Sequence, residues 1–147
     1  MHNSYIGMFK TVLKQVVVSI LTWEAKLVLK KYKPKIVAVT GSVGKTSAKD
    51  AIYTVLSGSL FARKSDKSFN SEIGVPLTIL GCRNGWSNPF LWLRNVIEGA
   101  MLIILPNHYP KLLILEVGAD RPGDIENIAK WLKPDIAVIT KLADVPV

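Results

Sequence analysis

Gly41, Gly44, Lys45 and Thr46, within the run "TGSVGKTS", are residue types that together can hold a polyphosphate. Two glycines let the backbone turn tightly enough for consecutive N–H groups to converge on phosphate oxygens, and a helix starting after the second would add its positive end. Lys45 can neutralise the β- and γ-phosphates, and Thr46 places a hydroxyl where such loops supply a magnesium ligand. The phosphate-binding stretch is therefore expected at Gly41, Ser42, Val43, Gly44, Lys45, Thr46 and Ser47. In the longer G-x-x-x-x-G-K-[ST] pattern the first glycine would stand at Val39, so the match is to a shorter G-x-x-G-K-T form. A tight glycine turn with no ligand is the plainer alternative, and the strand, glycine, lysine, threonine and helix context argues against it.

A loop of this kind needs a carboxylate at the end of a neighbouring buried strand, to hold the metal directly or through water. Residues 112–115, "LLIL", read as that strand and Glu116 ends it. Buried without a partner, this carboxylate would cost several kcal/mol, so a cation or a dense hydrogen-bond network must face it. A solvated strand-end glutamate is the other reading. Asp120 and Asp124 suit turn and helix-cap roles and are taken as structural.

The elements that must position these groups alternate along the chain. Pro34 marks a boundary, a short β-branched run at 36–39 reads as a buried parallel strand, and a helix is expected over about 46–56. A polar, glycine-punctuated stretch follows, with at most a short strand near 60–63, leading into a helix around 76–80. Then "NPFLWLRNVIEGAMLIILP" carries Trp92, Val96, Ile97, Ala100, Met101 and Ile104 at helical spacing, with Arg94 and Glu98 paired on another face. The strand "KLLILEVGA", the turn "DRPGD", a helix over 125–132 and the strand "DIAVIT" complete the pattern. Strands separated by helices imply an α/β fold with a parallel sheet.

At 147 residues and 49% hydrophobic content the chain can bury a real core. A formal charge of +8 favours anionic partners. The lysines cluster on the N-terminal segment and near the phosphate loop instead of interleaving with aromatics, so no nucleic-acid partner is expected. One cysteine, Cys82, excludes an internal disulfide framework, and with His2 and His108 it makes no zinc spacing. Residues 1–33 form a separate unit, a basic amphipathic helix over 5–31. Lys10, Lys14, Thr22, Lys26 and Lys30 make one stripe; Phe9, Leu13, Val16, Val17, Ile20, Leu21, Leu27 and Val28 fill the rest. Glu24 and Lys26 interrupt the apolar run, which argues against a signal peptide or a spanning helix. Two readings stay open: the apolar face packs on a domain, or it lies on an anionic membrane surface.

Three stretches together, "VAVTGSVGKTSAKDAIYTVL", "KSFNSEIGVPLTIL" and "LILEVGADRPGDIENIAKWLKPDIAVIT", resemble the central ATPase domain of the Mur ligases over residues 34–142. The second and third point to the subfamily that joins a UDP-linked muramoyl peptide to a D-alanyl-D-alanine amine. The loop alone would equally suit folylpolyglutamate synthase. The resemblance implies a P-loop ATPase domain of parallel-sheet type, of which residues 34–147 are the N-terminal part. It implies ATP-dependent amide-bond formation in peptidoglycan precursor synthesis, through an acyl phosphate, with ATP and Mg2+. Lys45 would stabilise the transferring phosphoryl group, Thr46 and Glu116 would organise magnesium, and Asn70 would contact nucleotide or metal. The setting would be cytoplasmic, peripheral at the inner membrane face if the N-terminal helix binds there.

The chain departs from the family in three places. Asn70 is followed by Ser71 where two asparagines are usual; the basic helix stands where a uridine-nucleotide domain is expected; and the chain ends at Val147. The family's metal-binding histidine, modified lysine, adenine contacts and amine-binding domain would lie later. The expectation is an ATP-binding portion inactive by itself. The alternatives are a membrane-peripheral ATP-binding module without ligase activity and, more distantly, a P-loop kinase or GTPase, although no N-K-x-D motif is present.

Overall fold

The computed structural model of the chain describes residues 2–66, 69, 71–85, 87–118 and 122–142, with side chains from residue 14 onward. The elements run α1 (His2–Tyr32), β1 (Lys35–Thr40), α2 (Lys45–Leu56), β2 (Ala62–Lys64), α3 (Gly74–Leu80), α4 (Pro89–Ile104), β3 (Leu112–Glu116), α5 (Asp124–Leu132) and β4 (Ile136–Ile139). The strands make one parallel sheet in the order β2-β3-β1-β4. The α/β expectation holds, and each expected element forms within a few residues of its expected bounds.

Sheet order follows from burial. β1 and β3 are the strands buried along their length and hold the two central places, where both faces are covered, whereas β4, as apolar in sequence, lies at an edge. Their alternate residues part between two layers. Ile36, Ala38, Leu113 and Leu115 join Leu21 and Val28 of α1, Val75, Leu77 and Ile79 of α3, and Ile128 and Leu132 of α5. Val37, Val39, Leu112 and Ile114 face the other way, against Ala48, Ile52, Tyr53 and Leu56 of α2. Register sets Val39 opposite Glu116, so the loop after β1 and the carboxylate ending β3 emerge at the same edge of the sheet.

Two helices use faces other than those expected. In α1 the buried residues are Leu21, Glu24, Ala25 and Val28, whereas Val16 and Ile20 are exposed. The described part of α1 is thus core along one narrow line, and Glu24, read from sequence as an interruption, lies on that line. In α4, Asn95 and Gly99 are buried, while Ile97, Met101 and Ile104 of the expected apolar face point to solvent, Ile104 with 77% of its surface exposed. This helix is apolar nearly all round, so hydrophobicity cannot choose its face. Close approach bears on it: a Cβ at Gly99 would overlap the Glu24 carboxylate, so glycine lets that side chain lie against α4 without shifting.

The α1–α4 pair is also pinned by polar contacts. Asn88 Oδ1 accepts from the amides of Phe90 and Leu91, at 2.9 and 3.4 Å, with Pro89 in the first turn, which caps the start of α4. At its other end Lys31 Nζ donates to the carbonyls of Leu102, Ile103 and Leu105 at 2.9, 2.9 and 2.6 Å, and Tyr32 donates to Leu102 at 3.0 Å. The carbonyls that a helix end leaves unpaired are thereby satisfied by the last turn of α1. Arg94 and Glu98 form the expected pair, at 2.7 Å.

Candidate nucleotide site

The loop between β1 and α2 is shaped by two glycines in the left-handed range, Gly41 at φ 136° and Gly44 at φ 87°. Space enforces the first as much as conformation does, because a Cβ on Gly41 would overlap the hydroxyl of Thr140. Gly44 stands at the N-cap of α2, whose start has no side-chain cap and no acidic residue in its first turn. Ala48 N–H donates to the Gly44 carbonyl at 3.0 Å and begins the helical ladder. The amides of Lys45, Thr46 and Ser47 precede that ladder and lie at the positive end of the helix dipole. The amides of Ser42 and Val43 turn elsewhere: both donate to the Lys141 carbonyl, at 3.0 and 3.3 Å. Lys45 Nζ folds back on the loop and donates to the Gly41 carbonyl at 2.6 Å.

Thr46 and Glu116 come together as the sequence pattern requires. Thr46 Oγ1 donates to Glu116 Oε2 at 3.0 Å. Glu116 is 4% exposed, and the partners that make its burial tolerable include residues the motif does not name. Lys49, 1% exposed, holds its ammonium 3.8 Å from Glu116 Oε2 and donates to the Ser65 carbonyl at 2.7 Å. The Ser65 hydroxyl accepts from the Glu116 amide at 3.0 Å. Thr40 Oγ1 donates to the Val117 carbonyl at 3.0 Å, tying the ends of the two central strands together. Lys49 lies one helical turn after Lys45, and that spacing was the available signal. Ser65, immediately beyond β2, carried none, because only strand order brings it beside Glu116.

Other residues named from sequence lie apart. Asn70 and Asp120 fall outside the described residues. Asp124 opens α5 in its first turn, but the N-cap there is Gly123 at φ 93°, with no side-chain cap. His108 stacks on Phe61, with ring centres 4.6 Å apart. Cys82 is buried, its thiol pushed up to about 12 by burial and by the carboxylates of Glu98 and Glu24. Among the described residues no three His, Cys, Asp or Glu side chains cluster as metal ligands. One hydroxyl and one carboxylate side by side suit an ion that takes oxygen ligands, such as magnesium, which Thr46 and Glu116 would hold. Phosphate oxygens and waters would complete such a set.

No protein-family model matches the chain. Among curated proteins it is 30% identical over 120 residues to the UDP-N-acetylmuramoyl-tripeptide--D-alanyl-D-alanine ligase of Bacillus subtilis (strain 168), covering 82% of this chain and 21% of that protein. It is 33% identical over 107 residues to the ligase of the same name from Synechocystis sp., covering 73% and 18%. Among solved structures it is similar to a MurF ligase from Thermotoga maritima in complex with ADP, with a TM-score of 0.60 and 29% identity, covering 85% of this chain and 23% of that one. MurF from Acinetobacter baumannii shares the fold, with a TM-score of 0.61 at 21% identity, over 89% and 23%. The chain spans about a fifth of the length of the curated relatives it matches.

Proposed function

We propose that this chain, whose homologues are Mur ligases, is the ATP-binding portion of an ATP-dependent amide-bond ligase of peptidoglycan precursor synthesis. The observation that carries the reading is the 3.0 Å contact between Thr46 and Glu116, which joins the loop hydroxyl to the strand-end carboxylate beside an uncapped helix start. The relatives' names supply the substrate classes: a UDP-linked muramoyl peptide as acid and a D-alanyl-D-alanine unit as amine. The ADP bound by the Thermotoga relative supports the nucleotide.

In this reading the substrate carboxylate attacks the γ-phosphorus of ATP, ADP departs, and an acyl phosphate forms. The amine then adds to the acyl carbon, and the tetrahedral intermediate collapses with loss of phosphate and a proton. This chain contributes positioning and charge to the first step. The first amides of α2 face the phosphates, and the Lys45 ammonium exchanges the Gly41 carbonyl for phosphoryl oxygens. Thr46 and Glu116 would hold Mg2+, which supplies electrostatic stabilisation of the triphosphate when bound. Lys49 and Ser65 keep Glu116 in place. Lys45→Ala should remove a charge-assisted contact worth about 1.5–3 kcal/mol, a loss in Mg-ATP affinity of roughly tenfold or more in calorimetry. Equal affinity for both proteins would overturn the assignment.

The second reading, a peripheral ATP-binding module on an anionic membrane face, is favoured by Val16, Ile20 and Trp23, which stay exposed on α1, Trp23 by 60%. No helix of the described residues is long and apolar enough to cross a membrane, so contact would be interfacial. Co-sedimentation with anionic but not neutral vesicles, reduced by Trp23→Asp, supports this reading; no sedimentation removes it.

A further inference from the structure

At the edge of the sheet opposite the phosphate loop, a cavity of about 560 Å³ opens between the end of α1, the start of β1 and the end of α5. Its size is that of a small-molecule site. Lys26, Lys30, Lys33, Lys35 and Lys133 line it, with Asp135 as the one carboxylate. Asp135 is fully engaged. Its Oδ1 accepts from Lys35 Nζ at 2.8 Å and its Oδ2 from the Ile36 amide at 2.8 Å, and these bonds hold its pKa below the ordinary carboxylate range. Among the described residues no carboxylate comes within ion-pair distance of Lys26, Lys30, Lys33 or Lys133. The ends of α1 and α5 offset part of this charge, at about −0.5 each. Roughly three positive charges remain to be matched.

The backbone delivers two of these lysines deliberately. α1 and α5 each end in a Lys-Pro pair leading into neighbouring strands, "KPKI" before β1 and "KPDI" before β4. Lys33 and Lys133 both sit in the left-handed region, at φ 48° and 47°, where glycine is the usual residue at a helix end. Across the cavity Lys26 Nζ lies 5.9 Å from the centre of the Trp131 ring, so one wall is aromatic as well as cationic. β1 separates this cavity from the loop by six residues, about 17–20 Å.

We propose that this cavity binds a phosphate-bearing anion, with Lys26, Lys30, Lys33 and Lys133 on the phosphates and Trp131 against the rest of the ligand. The shared chemistry is that of a soluble polyphosphate or of an anionic lipid headgroup. The site is separate from the loop and does not depend on the ligase reading. The test uses the 147-residue chain carrying Lys45→Ala, so that loop binding is weakened. Inorganic pyrophosphate is titrated at physiological salt and followed by tryptophan fluorescence, and vesicles with and without anionic phospholipid are tested by co-sedimentation. Saturable pyrophosphate binding that weakens tenfold or more in Lys30→Glu/Lys133→Glu, and persists in Lys14→Glu, supports a soluble ligand. Anionic-vesicle binding with the same dependence, without pyrophosphate binding, supports the headgroup. Circular dichroism and thermal melts confirm that the variants fold; should the double variant not fold, Lys30→Gln alone replaces it, with a severalfold loss expected. Absence of both kinds of binding, or binding equal in the cavity variants and Lys14→Glu, overturns the proposal.

Discussion

Glu116 illustrates how one buried charge is made tolerable before any ligand arrives. Removing a single partner of a buried ion pair costs about 3–5 kcal/mol, because the remaining charge is left desolvated. Here the Thr46 hydroxyl at 3.0 Å and the Lys49 ammonium at 3.8 Å share that task. If Glu116 acts through metal, Glu116→Gln should weaken ATP binding in magnesium far more than in EDTA, read by calorimetry under both conditions. Equal losses would make it a structural carboxylate. Gly41, Gly44, Lys45, Thr46 and Glu116 were all legible in the sequence because each is tied to a motif position or a strand end. Lys49 and Ser65 were not, since their roles depend on which strand lies beside which. The turn of the Ser42 and Val43 amides toward Lys141 was equally hidden, being set by a residue just past the end of β4.

At the scale of elements, the strands and helices were read well where a period or a punctuating residue marks them. Proline and glycine bound β1, α2 and α4, but strand apolarity did not give sheet order, since β4 is as apolar as the central strands and lies at the edge. Helix faces were read less well. The buried line of α4 runs through Asn95 and Gly99, which no hydrophobic pattern selects, because contact with α1 depends on small size and hydrogen bonding. That contact has a consequence in pH. Glu24 is 2% exposed with Oε2 unpartnered among the described residues, and burial raises its pKa to about 7 from 4.5. The folded state then holds a proton that the unfolded chain has lost between those values, so stability falls as pH rises from about 4.5 to 7 and levels off above. The whole effect is at most about 3 kcal/mol. Glu24→Gln should remove this slope in thermal melts across the same range; an unchanged slope would assign it to another group.

As a whole, the molecule is closed at its centre and open along one side of its sheet. β4 lies at the edge with Ile136 and Ile139 exposed, the latter by 66%, and Leu142 exposed just beyond. An uncovered apolar edge strand offers both unpaired amides and hydrophobic side chains to another chain. The 147-residue chain should therefore self-associate with rising concentration in sedimentation velocity, and Ile139→Lys should reduce that association while moving the melting temperature little. Association unaffected by the substitution would direct attention to the exposed side of α4. The same edge strand runs on into the residues that hold the phosphate loop. Just beyond its end, Thr140 lies against Gly41, and the Lys141 carbonyl carries two loop amides. A displacement of Lys141 by one or two ångströms would break both bonds together and unlatch the loop, so a pull on the polypeptide at β4 is transmitted as force to the place where phosphate is to be gripped.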